Sequence, residues 1–208
     1  MARKVALGML MVVPVLLAAG SLKAQEAAQQ NKVIIGGGKP NDYASTRLLY
    51  FTPKGALGQF AFNYGRPLWK TEYDDPAKFD ALTKGKIWRM GSNFWSNLYT
   101  DLPLTISGKD VAPGYYFLGL QRSADGSSWS LAFIDPVNAR KNHSDALFME
   151  GVPVEFTAPM HREPPSAEPV EKLTLILTHP KDDLHNATLT LTWGHVVLTA
   201  PIKVTQGQ

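Results

Sequence analysis

From Phe60 to Val204, apolar side chains recur at every second position, and this period decides the fold class. Successive residues of an extended chain point to opposite faces, so such a run buries one face and wets the other. Phe60, Phe62 and Tyr64 form the first set, followed by Leu102, Leu104 and Ile106, then Tyr116, Leu118 and Leu120. Trp129, Leu131 and Phe133 repeat the pattern, as do Val152, Val154 and Phe156. The last third is clearest: Leu173, Leu175, Leu177; Leu189, Leu191, Trp193; then Leu198, Ala200, Ile202 and Val204, with threonines between them. Asp125-Gly126 suits a hairpin loop, and Gly194-His195 a two-residue turn with glycine at its first central position. Ala158 to Pro169 holds four prolines and reads as a long connection. One helix is signalled: Asp75 caps it, Pro76 suits its first turn, Phe79 and Leu82 share a face, and Gly85 ends it. The expected fold is an all-β antiparallel sandwich, jelly-roll-like, of eight to ten short strands with one short helix, a single domain over residues 47–208.

The first 24 residues read differently. Arg3 and Lys4 precede an apolar run from Val5 to Ala19, and Ala24 follows a small polar stretch. That is the pattern of a cleaved signal peptide, and the run is shorter than the roughly 20 apolar residues of a membrane span. The chain is therefore expected to be periplasmic or secreted, with no membrane span after cleavage. Residues 25–46, rich in Gln, Ala, Gly and Asn, read as a flexible N-terminal tail, with Val33-Ile34-Ile35 as a candidate edge strand. Removing Arg3, Lys4 and Lys23 from the 21 basic residues leaves 18, equal to the 18 acidic ones. A neutral chain without a basic cluster excludes nucleic acid as a partner. There is no cysteine, so neither disulfide nor lipid-bearing Cys supports the fold.

Two clusters go beyond pattern: Asn63-Tyr64-Gly65-Arg66-Pro67, and Ile87-Trp88-Arg89-Met90-Gly91-Ser92-Asn93. Gly108-Lys109, Ala112-Pro113-Gly114-Tyr115-Tyr116, Ser128-Trp129-Ser130-Leu131 and the stretch from Glu168 to Gly194 follow in order. This order resembles a bacterial exported family catalogued as domain of unknown function 2911, over residues 50 to 205. The resemblance implies an extracytoplasmic β-sandwich and no established activity. The chain departs from the family's pattern at Thr71 to Lys84, and at Asn93-Phe94-Trp95-Ser96, where members carry an acidic residue.

Among residues that can carry chemistry, Arg66 and Arg89 stand out, because two guanidiniums can clamp a carboxylate or phosphate. The competing reading has each arginine bond loop carbonyls and lock a corner, and it is favoured. Asn93 can orient a ligand or satisfy the Gly91 turn. Trp95, with Trp69, Tyr73, Phe94 and Tyr99, can form a sugar platform or pack in the core. The five histidines show no zinc spacing, and no metal ligand is assigned. No nucleophile elbow or local triad occurs, so no catalytic residue is assigned. No cofactor is implied. The leading expectation is a non-catalytic module binding a small molecule, glycan or protein. The alternatives are a carbohydrate-binding or carbohydrate-processing domain, and a metal-dependent jelly-roll enzyme.

Overall fold

A computed structural model describes residues 42–205. The signal segment 1–24 and residues 25–41, including Val33-Ile34-Ile35, lie outside the described residues. Strand β1 (Tyr43–Thr52) turns directly into β2 (Gly55–Gly65). A short 3-10 turn (Thr71–Asp74) and helix α1 (Pro76–Thr83) come next, then β3 (Ile87–Trp88) and β4 (Ser96–Thr100). β5 (Leu104–Ile106) and β6 (Lys109–Val111) form a small hairpin. β7 (Gly114–Arg122) and β8 (Trp129–Ile134) follow, then helix α2 (Pro136–Lys141). The chain closes with β9 (Phe156–Arg162), β10 (Val170–Thr178), β11 (Asn186–Gly194) and β12 (Val196–Val204).

The expected alternation holds best in β11 and β12, whereas burial is continuous from Leu131 to Ile134 in β8, and Val152 and Val154 precede β9 rather than forming a strand. Phe60 and Phe62 of β2, Leu118 of β7, Leu131 and Phe133 of β8, and Leu189 and Leu198 are all sealed from solvent. The closing turn is as expected: Trp193 pairs with Val196 across Gly194-His195, and Gly194 has φ +56°. Helix α1 begins as read, with Asp75 Oδ1 accepting the amide of Ala77 at 2.9 Å.

Three expectations are corrected. The two-sheet sandwich is instead one nearly closed, barrel-like antiparallel sheet, with nine strands ordered β1-β2-β4-β7-β8-β9-β12-β11-β10. The end strands β1 and β10 face each other, and Thr46 Oγ1 accepts the Leu177 amide across the gap. Period-two burial is the same in a sandwich and a barrel, so alternation cannot separate them. Closure covers the two edges that an open sheet leaves unpaired. The strand count is 12, above the expected eight to ten. The surplus includes the two-residue β3 and three-residue β6, too short to carry a period.

The proline-rich connection is the second correction, because β9 occupies Phe156–Arg162. Pro159 pairs only with Ser130 of β8, while β12 joins β9 further along, at His161 and Arg162. Pro159 thus sits where the strand has one neighbour, the position a residue lacking an N–H tolerates. Third, α2 is a second helix that the single-helix expectation omitted. β1 also begins at Tyr43, inside the stretch read as tail.

Two cores result. The large one fills the barrel. A smaller one lies outside it, where α2 contributes Ala139 beside Ile134 and Val152, with Trp95, Phe117 and Met149 packed around them. No described helix is long and apolar enough to cross a membrane.

Candidate functional site

The two arginine motifs meet, but as joinery. β2 ends at Gly65, and the chain crosses the Gly91-Ser92 turn so closely that a Cβ on Gly65 would lie 2.3 Å from Ser92 O. The guanidinium of Arg66 donates from Nε to Leu173 O (3.1 Å) and from Nη2 to Thr174 Oγ1 (3.2 Å), stitching the barrel seam to β10. Tyr64 OH joins the same seam, accepting from Leu175 N at 2.9 Å. Asp42 holds Lys172 at 2.8 Å beside Arg66, and the hydrogen bond from Lys172 lowers its carboxyl pKa.

Arg89 donates to Gly91 O (3.2 Å) and Ala146 O (3.0 Å), pinning the loop after α2. Asn93 takes a left-handed conformation, φ 70°, which asparagine accepts more readily than most residues. Its amide reaches only Ser92 Oγ, at 3.4 Å. Trp95 stacks on Phe117 at 4.8 Å, half-buried over the smaller core. No hydrogen bond or ion pair links these four residues to one another. The arginines direct donors to carbonyls, to a hydroxyl and, for Arg66 at 3.7 Å, to the Asp42 carboxylate.

A cavity of about 150 Å³ opens elsewhere, at one end of the barrel beneath α1. Its walls are Tyr73, Phe79, Trp88, Trp129 and Trp193, over a floor that includes Leu120 and Leu191. Trp88 stacks on Trp193 at 4.9 Å, and Trp69 meets Trp193 edge-on at 5.1 Å. Trp69 can lie there because residue 194 is glycine: a Cβ at Gly194 would fall 2.1 Å from the Trp69 ring. Phe79 bridges the two sides, 5.6 Å from Trp69 and 6.3 Å from Trp129. None of Arg66, Arg89, Asn93 and Trp95 lines this cavity.

Helix α1 forms its lid and is held by one buried arginine. Arg122 at the end of β7 donates from Nη1 to Asp80 Oδ1 at 2.7 Å and to Thr83 Oγ1 at 2.8 Å, and from Nε to Gly126 O at 3.0 Å. Its guanidinium also lies 5.7 Å from the Phe79 ring and 5.2 Å from that of Trp129, in cation-π range. Lys84 bonds the other oxygen of Asp80 at 2.6 Å. Hydrogen bonds from Lys84 and then from Arg122 hold the Asp80 carboxyl below the ordinary aspartate range.

Sequence reading missed Arg122 and the Trp88–Trp193 stack. Trp88 and Trp193 are 105 positions apart, and nothing local to either betrays the other. A signal did exist for the lid: Asp75-Pro76 with Phe79 and Leu82 marks α1 in the sequence. Among the described residues, no three His, Cys, Asp or Glu side chains gather as a metal ion would need.

A family model described as protein of unknown function (DUF2911) matches residues 49–202. No curated protein and no solved structure matches the chain.

Proposed function

The chain belongs to the DUF2911 family, and we propose that it is an exported, non-catalytic binding module whose ligand enters the aromatic cavity beneath α1. The observation that carries this reading is the cavity itself, walled by three of the protein's five tryptophans. Buried aromatic surface that leaves space unfilled loses contacts that a guest restores. Two polar groups at its rim are engaged: Lys86 Nζ donates to Ala81 O at 2.6 Å, and Thr83 Oγ1 donates to Phe79 O at 2.7 Å. That lining favours binding over proton transfer. Export rests on Arg3, Lys4 and the apolar run Val5 to Ala19, and cleavage near Gln25 is the matching expectation.

The test is a fragment screen read by tryptophan fluorescence and melting temperature. Hits are expected among ring compounds, and Val196→Phe, which fills the cavity, should abolish them without unfolding the protein. Hits indifferent to Val196→Phe, or turnover lost on a single polar substitution, would overturn the reading.

A glycan ligand is the second reading, supported by one observation on the outer wall. Tyr99 and Tyr115, cross-strand partners on β4 and β7, are 39% and 47% exposed. Exposed aromatic pairs suit sugar rings. Glycan binding lost in Tyr99→Ala but kept in Val196→Phe would favour this reading over the cavity.

A further inference from the structure

Of the residues lining the cavity beneath α1, only Lys86 carries a formal charge. Its place follows from strand alternation. The Lys86 carbonyl accepts the Arg122 amide at 3.1 Å, so the residue continues the β3–β7 ladder and its side chain shares a face with that of Trp88. Ile87 between them points the other way, into a groove beside Met149 and Val152. From the Trp88 side Lys86 reaches across to α1, where Nζ donates to Ala81 O at 2.6 Å. The side chain thus spans from wall to lid, and its exposed ammonium stands at the cavity mouth.

The acids around α1 are committed elsewhere. Asp80 holds Arg122 at 2.7 Å and Lys84 at 2.6 Å, and Glu72 holds Lys70 at 3.4 Å. Asp74 accepts the Trp69 indole at 2.8 Å, and Asp75 caps the helix. Glu150 lines the neighbouring groove but forms no ion pair with Lys86, nor does any other acid among the described residues. An ammonium has three N–H donors, and Ala81 O takes one of them. The mouth therefore offers a cation with donors to spare above an apolar, aromatic interior.

We propose that the cavity takes a planar aromatic ring bearing one carboxylate, with the ring among the indoles and the carboxylate held at the mouth by Lys86. The proposal rests on the cavity being the binding site. A volume of about 150 Å³ is the size that accommodates a single benzene ring. The Trp88–Trp193 stack presents π surfaces against which a planar guest packs offset or edge-on. Holding the charge at the mouth spares it the desolvation that an anion placed among the rings would suffer. A monoanion matches the single lysine; Arg122, whose fork suits a phosphate dianion, is already bound to Asp80.

Benzoate and its neutral isostere benzamide separate ring from charge. Titrated into the full chain at neutral pH and low salt, both are expected to perturb the indole signals of Trp88 and Trp193 in nitrogen-15 correlation spectra. Benzoate should bind about threefold to fivefold tighter, the worth of an exposed charge pair. That preference should shrink with added salt, vanish in Lys86→Met and persist in Lys86→Arg, while Val196→Phe removes both ligands. Equal wild-type affinities, or a preference that survives Lys86→Met, would overturn the charge rule while the cavity reading stands. Benzoate retained in Val196→Phe would put it on the surface and overturn the proposal. If neither compound binds the wild-type protein at millimolar concentration, the cavity reading itself fails. The wild-type comparison at low and high salt decides the matter even where Lys86→Met does not fold.

Discussion

Helices α1 and α2 open with the same dipeptide, Asp75-Pro76 and Asp135-Pro136, yet relate to the barrel in opposite ways. Each aspartate caps its helix, accepting the amide of Ala77 at 2.9 Å in one and of Val137 at 2.7 Å in the other. There the likeness ends. α2 buries Ala139 in a packed apolar cluster on the outer wall. α1 buries no residue fully, covers a cavity, and is moored by the Arg122 guanidinium. Capping chemistry fixes where a helix starts, while burial decides whether it belongs to the cooperative core. α2 is wall; α1 is lid.

Substitutions beneath the two helices should have the largest effects. Trp129→Ala is expected to cost about 3–5 kcal/mol and Ile134→Ala about 2–5 kcal/mol in denaturant unfolding, since both are buried and leave voids. A loss below about 1 kcal/mol for Trp129→Ala would mean that the barrel end is loosely packed rather than a formed site. The mooring comes next. Arg122→Met should cost about 1–3 kcal/mol, moderated because Asp80 is partly exposed and keeps Lys84. Its amide-exchange signature should be confined to α1; acceleration across β7 and β8 would make Arg122 a core residue and not a tether.

The two caps give a smaller, sharper contrast. Asp135→Ala should lower global stability by about 1 kcal/mol, the ordinary worth of a cap on a packed helix. Asp75→Ala should fray α1 while leaving the unfolding midpoint nearly unchanged. Equal midpoint shifts from the two would erase the distinction.

Acid supplies the mildest perturbation. The Asp80 pKa is lowered, so its contribution is complete above the unfolded value near 3.8 and lost as pH falls through the folded one. Asp125 in the β7–β8 loop behaves likewise, held down to about 2 by hydrogen bonds from Ser123 and Ser127. Below pH 4, tryptophan fluorescence should therefore report the lid loosening before circular dichroism reports loss of the barrel. Coincident transitions would contradict an independent lid.

Much of this was legible in residue order. Phe60, Phe62, Leu131 and Leu189 announce buried strand faces by spacing alone, and Asp75-Pro76 announces α1. Asp135-Pro136 carries the same signal as Asp75-Pro76, but α2 has only six residues and a single buried side chain, so no apolar period accompanies it. Barrel closure is set by Thr46, Tyr64 and Arg66 reaching β10 over 100 residues away, which no local window contains. Arg66 and Arg89 were legible as unusual, but the carbonyls they bond, on Leu173, Gly91 and Ala146, were not. The cavity was not legible, because Trp88, Trp129 and Trp193 converge only once three separate strands are paired.

Native-state hydrogen exchange, compared at the Phe79 and Lys84 amides of α1 and the Ala139 amide of α2, tests the lid most directly. All three donate within their helices or caps, Phe79 N to Asp75 O and Ala139 N to Asp135 O. The account predicts that the α1 amides exchange faster by an order of magnitude or more, through an opening that small amounts of denaturant do not accelerate, while Ala139 follows the barrel. Protection of Phe79 and Lys84 equal to that of Ala139 would show that α1 is as much a part of the wall as α2, and that the cavity beneath it stays shut.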